Sequence, residues 1–155
     1  MSVSQQVRKF LVVIDKTPEC KIAVRFAARR AQHTGGRMTL LCVAPPVDFQ
    51  QWGGVEEIMM DEAHQDAEAL VYDAAKAINE LTGITPELII EHGEAAESLM
   101  ELIRRDRDIS ILVLAAGTSK DGPGPLVKLF ATKVQAIPVT IVPGNLTDAE
   151  VDELA

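Results

Sequence analysis

Five short runs of mostly apolar residues are spaced along the chain, and longer segments with mixed apolar and charged residues separate them. The runs cover residues 9–15 (KFLVVID), 37–43 (RMTLLCV), 87–92 (ELIIEH), 109–116 (ISILVLAA) and 138–144 (PVTIVPG). Continuous apolar runs of this length are typical of strands that are buried on both faces. The pattern therefore predicts five strands in one parallel sheet that is covered by helices.

Four of the intervening segments have apolar residues at helical spacing. The longest pattern, over residues 63–81, keeps its apolar positions three or four apart, and most of its charges fall off that stripe. Shorter patterns cover residues 23–31, 95–103 and 125–134. Thr17 is expected to cap the first helix, with Pro18 at the first helical position. Alternation of strands and helices predicts an α/β fold, a three-layer α/β/α sandwich in a single domain over residues 1–155.

Charge and hydropathy argue against several classes of protein. The net charge of −8 at pH 7 disfavours nucleic acid or an anionic membrane as a partner, because both bind basic surfaces. No apolar run reaches the length of a membrane-spanning helix, and the first residues do not have the pattern of a secretory signal. A cytoplasmic location is therefore expected. Cys20 and Cys42 form no C-x-x-C pair, and we interpret each as a small buried residue.

The segment AAGTSKDGPGPLVKLFATKV, residues 115–134, follows the fourth predicted strand and opens a helix. Three glycines, several hydroxyls and an excess of lysine would suit an anion, because backbone N–H groups and the helix dipole attract negative charge there. The segment lacks the P-loop sequence and the Rossmann fingerprint. The alternative interpretation is a tight turn in which the glycines supply unusual backbone angles and the lysines are solvated.

Asp15 ends the first apolar run just before the first predicted helix. A carboxylate there would repel phosphate but could accept a hydrogen bond from an amino group such as that of adenine. The alternative is an acid that stabilises a helix N-terminus. His64 and Glu68 are four apart on a helix and could share a metal, although a charged solvated face is the simpler interpretation, so no metal site is predicted. No acid–base or nucleophile constellation is present, so no catalytic residue is predicted.

Several separated segments, in order, resemble the universal stress protein family. KFLVVIDKTPECKIAVRFAARRA and TLLCV are similar to its first strand, Asp-containing turn, first helix and second strand. ISILVLAAGTSK and IPVTIVPG are similar to its fourth strand with glycine turn and to its last strand. The resemblance implies the strand order 3-2-1-4-5, which makes strands 1 and 4 neighbours at the point where the order reverses.

The resemblance also implies a nucleotide site. Family members that bind nucleotide use the strand-1 Asp and the end of strand 2 for adenine, and the motif G-x2-G-x9-G-[S/T] for ribose and phosphates. Here the middle glycine of that motif is missing, and Gly122 and Gly124 are candidates to replace it. The candidate nucleotide-binding residues are Asp15, Lys16, Val43, Ala116, Gly117, Thr118, Lys120, Gly122, Gly124 and Thr132.

The function implied by the resemblance is a cytoplasmic stress-response protein that binds ATP or AMP between strands 1 and 4, with Mg²⁺ if the ligand is ATP. Slow ATP hydrolysis is the most activity expected. The alternative is a nucleotide-free dimeric interaction module of the same family. A homodimer through strand 5 (Val139, Thr140, Ile141 and Val142) is expected in either case. Residues 145–155 form an acidic tail, in which Thr147 and Glu150 suggest a capping box that opens a short helix.

Overall fold

The computed structural model describes residues 7–46, 56–132 and 136–155. Strands and helices alternate through these residues, and a short helix follows the last strand. The strands are β1 Lys9–Val13, β2 Arg37–Ala44, β3 Glu87–His92, β4 Ile109–Ala116 and β5 Val139–Pro143. The helices are α1 Cys20–Thr34, α2 Glu56–Thr82, α3 Ala95–Arg105, α4 Pro125–Thr132 and α5 Asp148–Leu154. None of the described helices has both the length and the hydropathy needed to cross a membrane.

The five strands form one sheet in the order β3-β2-β1-β4-β5, and all neighbouring pairs are parallel. This confirms the predicted fold class and the order that the resemblance implied. The order reverses between β1 and β4, where Val12 pairs with Val113. Parallel strands leave their carboxyl ends at one edge of the sheet, so the segments after β1, β2 and β4 meet there.

The helices cover the sheet from both sides, which explains why the strand sequences are apolar without alternation. On one face, α1 and α2 pack against strand residues such as Phe10, Val12 and Leu40. On the other face, α3 and α4 pack against Leu11, Leu41 and the alternate positions of β4. Alternation of side chains across a strand therefore divides the core into two layers.

The C-terminal helix α5 packs on α1. Its start has the predicted capping box: the Glu150 N–H donates to the Thr147 hydroxyl, and the Thr147 N–H donates to the Glu150 carboxylate. Val151 is fully buried, and Asp152 accepts two hydrogen bonds from Arg25. The acidic tail is thus an ordered part of the domain and is anchored by basic residues of α1.

The start of α1 differs from the prediction. The helix begins at Cys20, Glu19 is the N-cap residue without a side-chain cap, and Pro18 lies in the preceding turn. The prediction that Thr17 caps the helix is wrong, because the Thr17 hydroxyl donates to the Asp15 carboxylate instead. The strand β1 also ends at Val13, so that Asp15 lies in the turn and not in the strand.

The helix α2 begins at Glu56, seven residues before the predicted pattern over residues 63–81, because the exposed residues 58–62 add no buried apolar stripe to that pattern. Several other boundaries differ by one or two residues, which is the usual scatter of such ends. The strand β2 extends to Ala44, and β5 covers Val139–Pro143 within the predicted residues 138–144. The helix α4 reaches Thr132. The rest of its predicted length, residues 133–134, lies outside the described residues.

Candidate functional site

The residues predicted to hold adenine and the first residues of the glycine loop lie level at the carboxyl edge of the sheet. Val13 pairs with Leu41, and Asp15 and Val43 each follow two residues later, so these two residues lie at the same level. Val12 pairs with Val113, so Asp15 and Ala116 are level in the same way. The register therefore brings Asp15, Val43 and Ala116 to one edge, at the reversal of strand order.

Asp15 is exposed, and a local hydrogen bond fixes its orientation. Its Oδ1 atom accepts from the Thr17 backbone N–H at 2.9 Å and from the Thr17 hydroxyl. This is an Asx turn, in which a short side chain takes the place of a backbone acceptor. The contacts recorded for the Asp15 carboxylate among the described residues all involve Oδ1. The second oxygen, Oδ2, therefore has its lone pairs free within the described part of the chain.

The glycine loop after β4 is held by its own backbone. The Gly117 N–H donates to the Pro123 carbonyl at 3.0 Å, and the Gly122 N–H donates to the Ser119 carbonyl at 3.1 Å. Gly122 has φ 95° and Gly124 has φ 108°, which side-chain-bearing residues rarely adopt. The turn interpretation of these glycines is therefore correct at the level of the backbone, and it does not by itself exclude a ligand.

Two polar side chains of α4, those of Lys128 and of the candidate Thr132, are engaged within the chain. The Lys128 ammonium donates to the Asp121 carbonyl at 3.4 Å and lies against Gly122. Thr132 ends α4, and its hydroxyl donates to the Lys128 and Leu129 carbonyls. Seven residues, or about 10 Å of helix, separate Thr132 from Pro125. Thr132 therefore lies at the end of α4 that is far from the glycine loop, and its role in binding stays a prediction.

The remaining predicted side chains lie around the rim of the site. Thr118 and Lys120 are exposed on the glycine loop. Lys16 is also exposed, and its ammonium lies 4.0 Å from the Asp66 carboxylate on α2. An exposed pair at that distance contributes little to stability, so Lys16 is free to move. Lys133, which the charge pattern included, lies outside the described residues.

Two residues at this edge were not among the candidates from the sequence. The half-buried Glu19 places its Oε1 atom 3.1 Å from the position that a β-carbon on Gly117 would take. Gly144 follows β5. A β-carbon on Gly144 would overlap the Ala116 carbonyl oxygen and would lie 3.1 Å from the Glu19 β-carbon. The pairing of Ala116 with Pro143 makes Gly117 and Gly144 level. A signal for Gly144 was available, because it directly follows the last strand.

The cysteines are buried and serve packing, as predicted. Cys20 lies at the start of α1, where its Sγ atom is 3.7 Å from the Val13 carbonyl. Burial raises the pKa of the Cys20 thiol to about 11, and burial likewise raises the pKa of Cys42. Both thiols are therefore protonated at neutral pH, which makes them poor nucleophiles and poor metal ligands.

His64 and His92 meet at the same edge of the sheet. Nδ1 of His64 lies 3.0 Å from Nε2 of His92, and the ring centroids are 5.2 Å apart with nearly parallel planes. The centroid distance exceeds the N–N distance by about one ring width, so the two rings meet edge to edge and are not stacked. An N–H···N hydrogen bond joins them. The other nitrogen of His64 is 3.0 Å from Glu68. No group of three or more metal-ligating side chains was found among the described residues.

The sheet order, the two helical layers and the reversal of strand order between β1 and β4 define the class: a three-layer α/β domain with a parallel sheet. The universal stress protein family model matches residues 6–127, so the chain belongs to the universal stress protein family. A comparison of the sequence with curated proteins found no significant match.

Solved structures of that family have the same fold. The universal stress protein UspA from Lactobacillus plantarum is 16% identical, with a TM-score of 0.71, covering 90% of this chain and 99% of that one. The Archaeoglobus fulgidus universal stress protein in complex with dAMP is 17% identical (TM-score 0.66; 89% and 99% covered). A family protein from Arabidopsis thaliana with AMP bound is also 17% identical (TM-score 0.61; 92% and 99% covered).

Proposed function

We propose that this chain binds an adenine nucleoside or nucleotide in the crevice between β1 and β4 and acts as a cytoplasmic stress-response protein. The observation that carries the proposal is the oriented Asp15 carboxylate level with Val43 and Ala116. The adenine amino group would donate to Oδ2 of Asp15, and the half-buried Val43 would offer apolar surface to the ring. Family structures with AMP and dAMP bound support adenine as the base.

The glycine loop would hold the sugar and any phosphates. Ala116 and Gly117 continue β4 to the same edge, and the exposed Thr118 and Lys120 add a hydroxyl and a positive charge beside it. AMP and ATP, the latter with Mg²⁺, are both candidates for such a loop. Slow hydrolysis of ATP is the most catalysis proposed.

Isothermal titration calorimetry with adenosine, AMP, ATP and guanosine tests the proposal. Asp15→Ala should weaken every adenine ligand by roughly tenfold or more, because a charged hydrogen-bond acceptor is lost. Asp73→Ala, which removes an exposed carboxylate from α2, is the matched control and should leave the affinity for each ligand unchanged. Absence of heat and of thermal stabilisation with millimolar adenine ligands would contradict the proposal and favour the nucleotide-free module.

Self-association through β5 is a second proposal, and it holds with or without nucleotide. The strand β5 is the last in the sheet, and the Leu112 N–H donates to the Pro138 carbonyl. Because backbone groups alternate along a strand, Thr140 then faces β4, and the N–H and C=O groups of Val139 and Ile141 face outward. Ile141 is 40% exposed, and an open apolar edge of this kind favours pairing with a second copy.

A further inference from the structure

The Glu19 carboxylate lies over the first residue of the glycine loop. Its Oε1 atom is 3.1 Å from the β-carbon position of Gly117, and its own β-carbon is 3.1 Å from that of Gly144. The backbone of Glu19 holds it there: φ is −70° and ψ is −15°, and its carbonyl accepts from the Ile22 and Ala23 N–H groups. The side chain makes no capping hydrogen bond to α1.

A phosphate group in the glycine loop would therefore approach a carboxylate. Two like charges a few ångströms apart repel each other strongly in a partly buried crevice. Glu19 also stands at the N-terminus of α1, so this carboxylate already occupies the positive end of the helix dipole. The attraction that the N-terminus of α1 could offer to phosphate is thus met within the chain.

The loop offers few groups that would offset this repulsion. The Gly117 and Gly122 N–H groups are bonded to carbonyls of the loop itself, and Lys128 donates to a loop carbonyl as well. Pro123 and Pro125 have no N–H group to donate. Lys120 is the cation that remains exposed on the described part of the loop. A polyphosphate would have to break several of these contacts before it gained any of its own.

Neutral hydroxyl groups suit the same position. A carboxylate is an acceptor-only group, and the 2′- and 3′-hydroxyls of a nucleoside can both donate to it. We propose that Glu19 makes the crevice selective for adenosine, so that affinity falls as phosphate groups are added. This proposal rests on the proposed adenine site. The carboxylate would accept from the ribose beside Gly117 and would exclude the chain of phosphates beyond it.

Titrations of adenosine, AMP and ATP without Mg²⁺ into the unmodified protein and into Glu19→Gln test the selectivity. The unmodified protein should bind adenosine at least roughly tenfold more tightly than ATP. Glu19→Gln keeps the size and removes the charge, and it should narrow that ratio by about tenfold. Glu80→Gln, with the same change of net charge on an exposed part of α2, should leave the ratio unchanged. Both affinities in each ratio are measured on the same protein, so a difference in folding stability between the variants does not affect the ratio.

Salt gives a measurement that needs no variant. Raising NaCl should bring ATP and adenosine affinities closer together in the unmodified protein, because the repulsion is screened. The proposed selectivity is overturned if ATP binds as tightly as adenosine, or if Glu19→Gln leaves the ratio of adenosine to ATP affinity unchanged. The proposed adenine site stands in both cases. If Mg²⁺ raises the affinity for ATP above that for adenosine, Glu19 acts through a bound cation. That result also overturns the proposed selectivity. Absence of binding by all three ligands overturns both proposals.

Discussion

The Ala116 carbonyl lies against Gly144 so closely that a β-carbon on Gly144 would overlap the carbonyl oxygen. The ends of β4 and β5 are pressed together at this point, because Ala116 pairs with Pro143 directly beforehand. Gly144 does not have a positive φ, so the constraint is space and not backbone angle. The edge that carries the candidate site is therefore fixed by a residue that has no side chain.

Gly144→Ala should destabilise the protein by roughly 1–3 kcal/mol, because the new methyl group must push the two strand ends apart. Urea denaturation followed by circular dichroism measures the loss. Gly124→Ala is the comparison: φ is 108° there, but no atom lies within 4 Å of the new β-carbon, so it reports backbone strain alone. Unchanged stability of Gly144→Ala would show that the strand ends separate at no cost.

A buried ion pair closes the opposite edge of the sheet. Lys9 is 5% exposed, hydrogen-bonds to the Asp106 carboxylate, and lies 3.4 Å from Glu87. Burial alone would lower the pKa of Lys9, but the Asp106 hydrogen bond and the two negative charges outweigh it and raise that pKa. Burial alone would raise the pKa of Asp106, and the hydrogen bond from Lys9 with the other contacts outweighs it and lowers that pKa.

Lys9→Ala should cost about 3 kcal/mol of unfolding free energy, since it leaves a cavity and an unpaired Asp106. Lys9→Met fills the space and should cost less. The pair contributes fully only between the two ordinary pKa values, about 4 and 10. As pH falls through the lowered pKa of Asp106, or rises through the raised pKa of Lys9, the contribution is lost. The difference between the unmodified protein and Lys9→Met should therefore be constant near neutrality and shrink at both extremes.

The link between Arg25 and Asp152 should control the docking of α5. Two hydrogen bonds of 2.8 and 2.7 Å join them, and Arg29 adds another at 3.0 Å. Hydrogen bonds from Arg25 and then Arg29 hold the pKa of Asp152 well below its usual range. The stabilisation is thus present above the ordinary carboxyl pKa and is lost as pH falls through the lowered one.

Asp152→Asn should speed amide hydrogen exchange at Val151 and Ala155, whose N–H groups donate to the Thr147 and Val151 carbonyls. Hydrogen exchange read by NMR measures this directly. Glu153→Gln removes a charge from the next residue of the same helix and should leave both rates unchanged. Equal protection in the two variants would mean that Val151 burial, and not the arginine contacts, holds the helix.

The apolar pattern was sufficient for the strands, because strands of a covered parallel sheet are apolar along their whole length. The order of strands came from the family resemblance and not from the pattern. The start of α1 was predicted wrongly because Thr17 has two possible partners, the helix N–H groups and Asp15, and sequence does not rank them. Glu19 escaped notice for a similar reason: its contact with Gly117 joins residues 98 positions apart, through packing that no local motif encodes.

The open edge of β5 gives the last prediction, which concerns assembly. Ile141 turns its backbone N–H away from β4 and is 40% exposed, so Ile141→Pro removes an outward donor without touching the pairing with β4. We expect the unmodified protein to be a dimer at tens of micromolar and Ile141→Pro to be a monomer. Analytical ultracentrifugation with a dilution series measures both.

Two further variants separate edge pairing from its alternatives. Ile141→Val keeps the backbone donor and should remain dimeric, whereas Ile141→Lys places a charge at the edge and should weaken the dimer. Asp152→Asn loosens α5, which lies on α1 and not on the edge, so it should leave the dimer intact. If the dimer persists in Ile141→Pro but dissociates in Asp152→Asn, the interface is formed by the C-terminal helix and not by β5. A monomeric unmodified protein at these concentrations would show that β5 stays open to water in spite of Ile141.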